Sequence, residues 1–199
     1  MTHGVLNLDL DDDSSRTVTW IGHAYWGTDK DGVLVMDFTG VDHDWGNPDI
    51  LKAGALTGTG HGNWYGFITM GREVEPTGSG ERDVEVVFNG HKLGEMVAGG
   101  GDAEASITGV VENLDANSKA KVDIGSYYES VVGYNDINTG FSKSLQTELD
   151  PDDSYFIYVK LEVQVWSAWA VQATASADFG PFDVDDGKVD LDSIEIHKL

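Results

Sequence analysis

The stretch from Tyr155 to Phe179 reads YFIYVKLEVQVWSAWAVQATASADF, and its odd-numbered positions are almost all apolar. Successive side chains of a β-strand point to opposite faces, so this alternation predicts strands with one buried face. Fully extended, the run would reach roughly 80 Å, whereas a compact domain of this length has a radius of gyration of about 16 Å. We therefore expect a bend at the small residues between Trp166 and Trp169, which divides the stretch into strands at about 155–166 and 169–178.

The even-numbered positions of the same stretch face away from this core. Most are polar, but Phe156, Tyr158 and Trp166 are aromatic. Large aromatic side chains are enriched where a surface is covered by other protein. We therefore expect another segment or a partner to cover these three rings.

Apolar and β-branched runs recur along the whole chain, separated by turn-forming sequences such as Pro76–Gly80, Asn89-Gly90 and Gly99–Gly101. About eight to ten strands with this punctuation predict an all-β protein, and specifically a β-sandwich of the jelly-roll type. The length of 199 residues suits a single domain spanning 1–199.

Two short segments carry helix signals. Asn47-Pro48 resembles an N-cap followed by proline at the first helical position, which predicts a helix of about two turns before Gly54. The segment from Phe141 to Leu149 is the second expected helix.

The charge is strongly acidic: 35 aspartates and glutamates stand against 12 lysines and arginines, a formal net charge of -23. Self-repulsion of this size destabilises a compact state unless concentrated salt screens it. Such an acidic, lysine-poor composition resembles that of proteins from extreme halophiles, especially haloarchaea. It argues against nucleic acid as a partner, because no basic stripe is present to neutralise phosphates.

Targeting and membrane signals are absent from the sequence. The first residues, MTHGVLNLDLDDDSSR, lack the basic segment and apolar run of a secretory signal. No apolar stretch approaches the roughly 20 residues of a membrane-spanning helix. These features predict synthesis in the cytoplasm as a soluble product.

The residues that usually mark an enzyme are not arranged for catalysis. The six histidines are dispersed, and neither His-x-His, His-Glu-x-x-His nor Gly-x-Ser-x-Gly occurs. Cysteine is absent, which excludes disulfides and thiolate chemistry. We expect no catalytic residues and no cofactor.

Calcium is the one ligand that the carboxyl-terminal segment FDVDDGKVDLDSIEIHKL suggests. The EF-hand register fails, because counting from Asp183 the glycine falls one position too early. A calcium ion bound in the turn is the alternative to a plain acidic turn, and its candidate ligands are Asp183, Asp185, Asp186 and Asp190. In the strand that follows, one bulge is needed for the apolar residues to share a face, namely Val189, Leu191, Ile194 and Ile196.

Interaction with other molecules is the remaining function class. Exposed aromatic rings on one face can stack on sugars, so a carbohydrate-binding β-sandwich is one hypothesis. Contacts between protein subunits are the other. Our candidate contact residues are Phe156, Tyr158 and Trp166 on the outer sheet face, with others in or beside loops, namely Trp45, His61, Asn63 and Tyr65.

The acidic LNLDLDDD, the strand-rich YFIYVKLEVQVW and the closing IEIHKL together give the chain a family likeness. It resembles virion proteins of haloarchaeal viruses, most of all the smaller single jelly-roll major capsid proteins of icosahedral viruses with an internal membrane. The resemblance implies a capsid subunit, located in the virion, that assembles with copies of itself and with other virion proteins near that membrane. Tail-tube, turret or decoration proteins of haloarchaeal tailed viruses are the alternative in the same class.

Overall fold

The computed structural model describes residues 5–12, 15–18, 23–34, 37–44, 49–57, 60–167, 174–180 and 187–199. These residues form eleven β-strands and no helix. The strands are β1 (Leu6–Asp9), β2 (Arg16–Val18), β3 (His23–Leu34), β4 (Asp37–Asp44), β5 (Asp49–Thr57), β6 (Gly60–Thr77), β7 (Arg82–Asn113), β8 (Ser118–Leu149), β9 (Tyr155–Ser167), β10 (Thr174–Phe179) and β11 (Lys188–Lys198).

The strand β7 is the axis of the sheet. One of its edges pairs with β8 along the whole strand, and the other pairs in turn with β11, β10 and β9. Beyond β9 lies β6, which carries β3 and the parallel strand β1. Beyond β10 and β11 lies β5, which carries β4, and β11 also carries β2. The sheet therefore has two wings, one at each end of β7.

A bulge in the middle of β7 joins the two wings. The register with β8 shifts between Gly99 and Asp102, and Gly100 has a φ of 95°. This left-handed conformation strains any residue with a side chain, so glycine suits it. The buried positions of β7 are even-numbered up to Ala98 and odd-numbered from Gly101 onward, except for Val110, which is buried on the opposite face beside Phe156 and Tyr158. The bulge thus keeps one face of β7 in the core, and our expectation of a turn at Gly99–Gly101 was wrong.

The two wings pack against each other around one cluster of buried side chains. Leu51 and Phe88 enter this cluster from one wing, and Ile68 and Leu161 enter it from the other. The strand β5 also contacts β6 and β9 without pairing with either. Two facing layers with a shared apolar core are a β-sandwich. The predicted all-β sandwich is confirmed.

The predicted alternation of the 155–179 stretch appears in its two described parts, β9 and β10. β9 buries all its odd-numbered side chains from Tyr155 to Val165, and β10 buries Ala175, Ala177 and Phe179. The bend was predicted between Trp166 and Trp169: β9 ends there, at Ser167, and residues 168–173 lie outside the described residues.

Both helix predictions were wrong where the structure describes the chain. Residues 49–54 belong to β5, which pairs with strands on both edges. In β8, the buried Phe141, Leu145 and Leu149 are four residues apart, which is also the spacing of a helix. Pairing with β7 along this whole segment overrides that local pattern. Residues 47 and 48 lie outside the described residues.

The predicted turn at Asn89-Gly90 is also replaced by continuous β7. A Cβ atom at Gly90 would lie 2.1 Å from the backbone oxygen of Asp190 and 2.6 Å from the Phe141 ring. The glycine therefore permits a close approach of neighbouring strands. Opposite this point β11 contains the predicted bulge, between Leu191 and Ser193. That bulge places the four expected side chains in the core, namely Val189, Leu191, Ile194 and Ile196.

A buried lysine links the two wings. Lys92 projects from the first half of β7, and its Nζ donates a 2.7 Å hydrogen bond to the backbone oxygen of Ile124 in β8. The same Nζ lies 5.4 Å from the centre of the Tyr127 ring. Lys92 therefore satisfies a carbonyl beside the second irregularity of the β7–β8 pairing, between Ile107 and Thr108.

We expect Lys92→Ala to lower the free energy of unfolding by about 2 kcal/mol or more, because it leaves a buried carbonyl without a donor and opens a cavity. Guanidinium unfolding in concentrated NaCl measures the change. The exposed Lys143 gives a matched control, for which Lys143→Ala should cost less than about 0.5 kcal/mol. Equal losses for the two variants would contradict this role for Lys92.

Candidate functional site

The solvent-side face of one wing carries most of the predicted contact residues. We call this the outer face, formed by β6, β9, residues 101–113 of β7 and residues 118–130 of β8. The pairing register places Asn63, Trp166 and Asp102 in one row across three strands. The next row across the strands contains Tyr65, Gln164, Glu104 and Tyr128.

Five of the predicted contact residues share the outer face, namely Phe156, Tyr158, Trp166, Asn63 and Tyr65. His61 lies on β6, paired with Val33, but its side chain is outside the described part of the structure. Trp45 lies outside the described residues altogether. The expectation that Asn63 and Tyr65 lie in or beside loops was wrong: both belong to β6, and its pairing with β9 brings them onto the face of Phe156, Tyr158 and Trp166. Their role as contacts stays a prediction.

One end of the outer face is an aromatic cluster that the chain itself largely covers. The Phe156 and Tyr158 rings stack with centroids 4.7 Å apart, and each residue is only 6% exposed. The Tyr158 hydroxyl donates a 3.0 Å hydrogen bond to Glu112, which Lys119 approaches to 2.9 Å. Burial and the hydrogen bond to Glu112 both raise the pKa of Tyr158. These rings are covered, as expected, and leave little surface for a partner.

A groove of about 320 Å³ opens beside this cluster, lined by Phe67, Thr69, Glu73, Glu112, Leu114, Phe156 and Tyr158. Its walls are mainly apolar and aromatic. Leu114, at the turn between β7 and β8, is the most exposed of its large apolar residues, at 47%.

The middle of the outer face is a hydrogen-bonded group centred on Glu162. Its carboxylate accepts hydrogen bonds from the Tyr65 hydroxyl and, at 2.7 Å, from Lys160 Nζ. Burial alone would raise the pKa of Glu162, but these two hydrogen bonds and the positive charges of Lys160 and Lys121 together hold the pKa below its usual value. Burial and the neighbouring carboxylate raise the pKa of Tyr65 well above that of a free tyrosine. Lys160 also lies 5.0 Å from the centre of the Phe67 ring.

The other end of the outer face combines aromatic and amide side chains, and we call it the Trp166 cluster. The Trp166 and Tyr128 rings lie 6.4 Å apart at an angle of 52°. Gln164 Nε2 donates a 2.8 Å hydrogen bond to Asn63 Oδ1, and the Tyr128 hydroxyl donates a 3.2 Å hydrogen bond to Asp102. A shallow cavity of about 140 Å³ adjoins the cluster, lined by Tyr65, Glu104, Ser106, Glu162, Val163 and Gln164.

A second surface, along β8, was missed by the sequence reasoning. Within the described residues β8 pairs with β7 alone, so its other edge is open. Tyr128, Val132 and Tyr134 project from its middle and are 57%, 87% and 63% exposed. These residues occupy even-numbered positions of GSYYESVVGY, a pattern from which a strand could have been predicted. Their exposure depends on the sheet order, which the sequence does not reveal.

The described residues do not form the predicted calcium site. Asp183, Asp185 and Asp186 lie outside them, and the Asp190 carboxylate is 3.4 Å from Lys188 Nζ. Among the described side chains, no group of three or more histidines and acids is placed to hold a metal ion. The same residues include no helix long and apolar enough to cross a membrane.

Comparisons with known proteins give no family for this chain. No protein-family model and no curated protein matches it. Among solved structures it is similar to the enzymatically active domain of tailspike protein 4 of bacteriophage CBA120, with 14% identity and a TM-score of 0.24. That match covers 87% of this chain and 19% of the tailspike chain. So low a TM-score supports no conclusion on fold or function.

The depressed pKa of Glu162 gives a testable pH dependence. The unfolded chain binds a proton at this carboxyl more readily than the folded protein does. The ionised Glu162 carboxylate therefore stabilises the folded protein above the unfolded pKa of about 4.3, and this stabilisation is lost as the pH falls further. We expect Glu162→Gln to flatten the fall in thermal midpoint between about pH 5 and pH 3, measured at constant high salt. The exposed Glu104 supplies the control, Glu104→Gln, which should keep the wild-type slope. If the thermal midpoints of the wild type and of Glu162→Gln fall equally with pH, the stabilising role of the Glu162 carboxylate is contradicted.

Proposed function

We propose that the protein is a structural virion subunit, a capsid protein of a halophilic archaeal virus, that assembles by non-covalent contacts in concentrated salt. The observation that carries this proposal is the open edge of β8, with its exposed apolar side chains. On this proposal the protein catalyses no reaction and needs no cofactor. Its partners are copies of itself and other virion proteins, close to an internal viral membrane.

The open edge is suited to contact between subunits. An edge strand presents unpaired backbone N–H and C=O groups, and proteins that stay monomeric usually protect such edges with charges, prolines or short strands. β8 is 32 residues long and contains no proline. Between Ile124 and Asn135 its one charged residue is Glu129. A neighbouring strand can therefore pair here and bury Val132 and Tyr134.

The strand β8 carries little of the negative charge of the chain. β8 contains three lysines and four acidic residues, a formal charge of -1, in a chain whose total is -23. Two subunits that meet through β8 bring together a nearly neutral strand of each molecule. Concentrated salt screens the remaining acidic surfaces to within a few ångströms. Assembly should accordingly strengthen as salt increases.

A tail-tube, turret or decoration protein of a haloarchaeal tailed virus would use the same edge and the same screening. The particle distinguishes these roles: a closed shell indicates a capsid protein, and a tube or a ring indicates the others. Electron microscopy of the assembled protein makes this distinction directly.

Salt dependence and the edge strand can be tested together by light scattering. We expect the mass of the wild-type protein at about 3 M NaCl to exceed that of one chain and to fall at about 0.2 M NaCl. The double variant Val132→Asp, Tyr134→Asp should remain monomeric at high salt, because it adds charge to the edge.

The matched control for this variant is Val5→Asp, which changes an exposed valine on another part of the surface. It should assemble like the wild type. A salt-independent monomer, or full assembly of the double variant, would contradict the proposal. Far-ultraviolet circular dichroism of each variant establishes that its sheet is intact.

A further inference from the structure

We infer that the Trp166 cluster is a binding site for a neutral saccharide. This function goes beyond assembly and does not depend on it. The cluster consists of Trp166 and Tyr128, with the amides of Asn63 and Gln164 and the carboxylate of Asp102.

The aromatic part of the cluster offers an angled apolar surface. Trp166 is half-buried on β9, so the sheet fixes its ring, and Tyr128 on β8 is 57% exposed. With centroids 6.4 Å apart and planes inclined by 52°, the rings form two sides of a shallow corner. The C–H face of a pyranose ring is apolar and packs on an aromatic face, whereas its edge is lined with hydroxyls. One aromatic ring of the corner can therefore stack on the face of the pyranose, while the polar residues hydrogen-bond to the hydroxyls along its edge.

The polar part of the cluster supplies held donors and acceptors. The bond from Gln164 to Asn63 uses one donor of one amide and one acceptor of the other, and each amide has further donor and acceptor capacity. The Tyr128 hydroxyl is oriented by Asp102 at 3.2 Å. Such paired planar groups match the adjacent hydroxyls of a sugar, which donate and accept at neighbouring positions. The adjoining cavity of about 140 Å³ extends this polar surface toward Glu104 and Glu162.

The charge of the cluster selects a neutral ligand. Asp102 and Glu104 lie in adjacent rows of the outer face, and the chain as a whole carries -23. An anionic sugar, such as a uronate, would place carboxylates in direct contact with these acidic groups, a distance at which even concentrated salt screens the repulsion only in part. Stacking and hydrogen bonds to a neutral sugar do not depend on ion pairing, so concentrated salt does not screen them. The site therefore suits the salt conditions that the composition implies.

The test uses isothermal titration calorimetry of the full chain at about 3 M NaCl. The neutral probes are maltohexaose, cellohexaose, xylohexaose and chitohexaose, and the charged probe is hexagalacturonate. We expect at least one neutral probe to bind and hexagalacturonate not to bind. Trp166→Ala should weaken that binding at least about tenfold, since it removes the stacking surface. Gln164→Ala should weaken it as well.

The matched control is Leu114→Ala, which removes a large side chain that is 47% exposed, lies outside both the Trp166 cluster and the assembly edge, and should leave saccharide binding as in the wild type. The assembly-defective double variant Val132→Asp, Tyr134→Asp should also retain binding, which separates this inference from the proposed capsid role. The inference is overturned if no neutral probe binds, if Trp166→Ala binds with wild-type affinity, or if hexagalacturonate binds as well as the neutral probes. Circular dichroism of Trp166→Ala checks that the fold is kept.

Discussion

The rest of the structure depends on the pairing of β7 along both of its edges. This strand of 32 residues holds β8 on one side and three successive strands on the other, and its glycine bulge carries the same buried face from one wing to the other. The bulge therefore allows two wings to share one core. Because β7 is paired on both edges and β8 on one, the long open edge of the described sheet follows from the same arrangement.

The alternation of β9 and the bulge of β11 were predictable because both express a local rule, that apolar residues on one strand face must share a core. The predictions of turns in β7 and of a helix in β8 were wrong for the opposite reason. They were based on the glycines of β7 and on the spacing of Phe141, Leu145 and Leu149. Locally they signal a turn and a helix, but long-range pairing decides their structure. Alternation identified Phe156 and Trp166 as outward-facing aromatic residues. Neighbouring strands decide that Phe156 is buried and that Trp166 is partly exposed, and the sequence does not show this.

The two proposed surfaces meet on β8. Tyr128 belongs to the Trp166 cluster, while Val132 and Tyr134 lie farther along the same strand, beyond the middle of β7. Electrostatic repulsion between the other, acidic parts of the surface opposes further contacts, and the salt concentration determines how strong this repulsion is. Assembly and saccharide recognition can thus use one strand without competing for the same side chains.

On the proposed capsid role, subunits associate through the edge of β8. Hydrogen–deuterium exchange measured by mass spectrometry at about 3 M NaCl, on dilute monomer and on concentrated assembled protein, tests it without a mutation. If subunits pair through this edge, peptides covering residues 126–138 should exchange more slowly in the assembled protein than in the monomer. Unchanged exchange in this segment, with protection gained elsewhere, would contradict it.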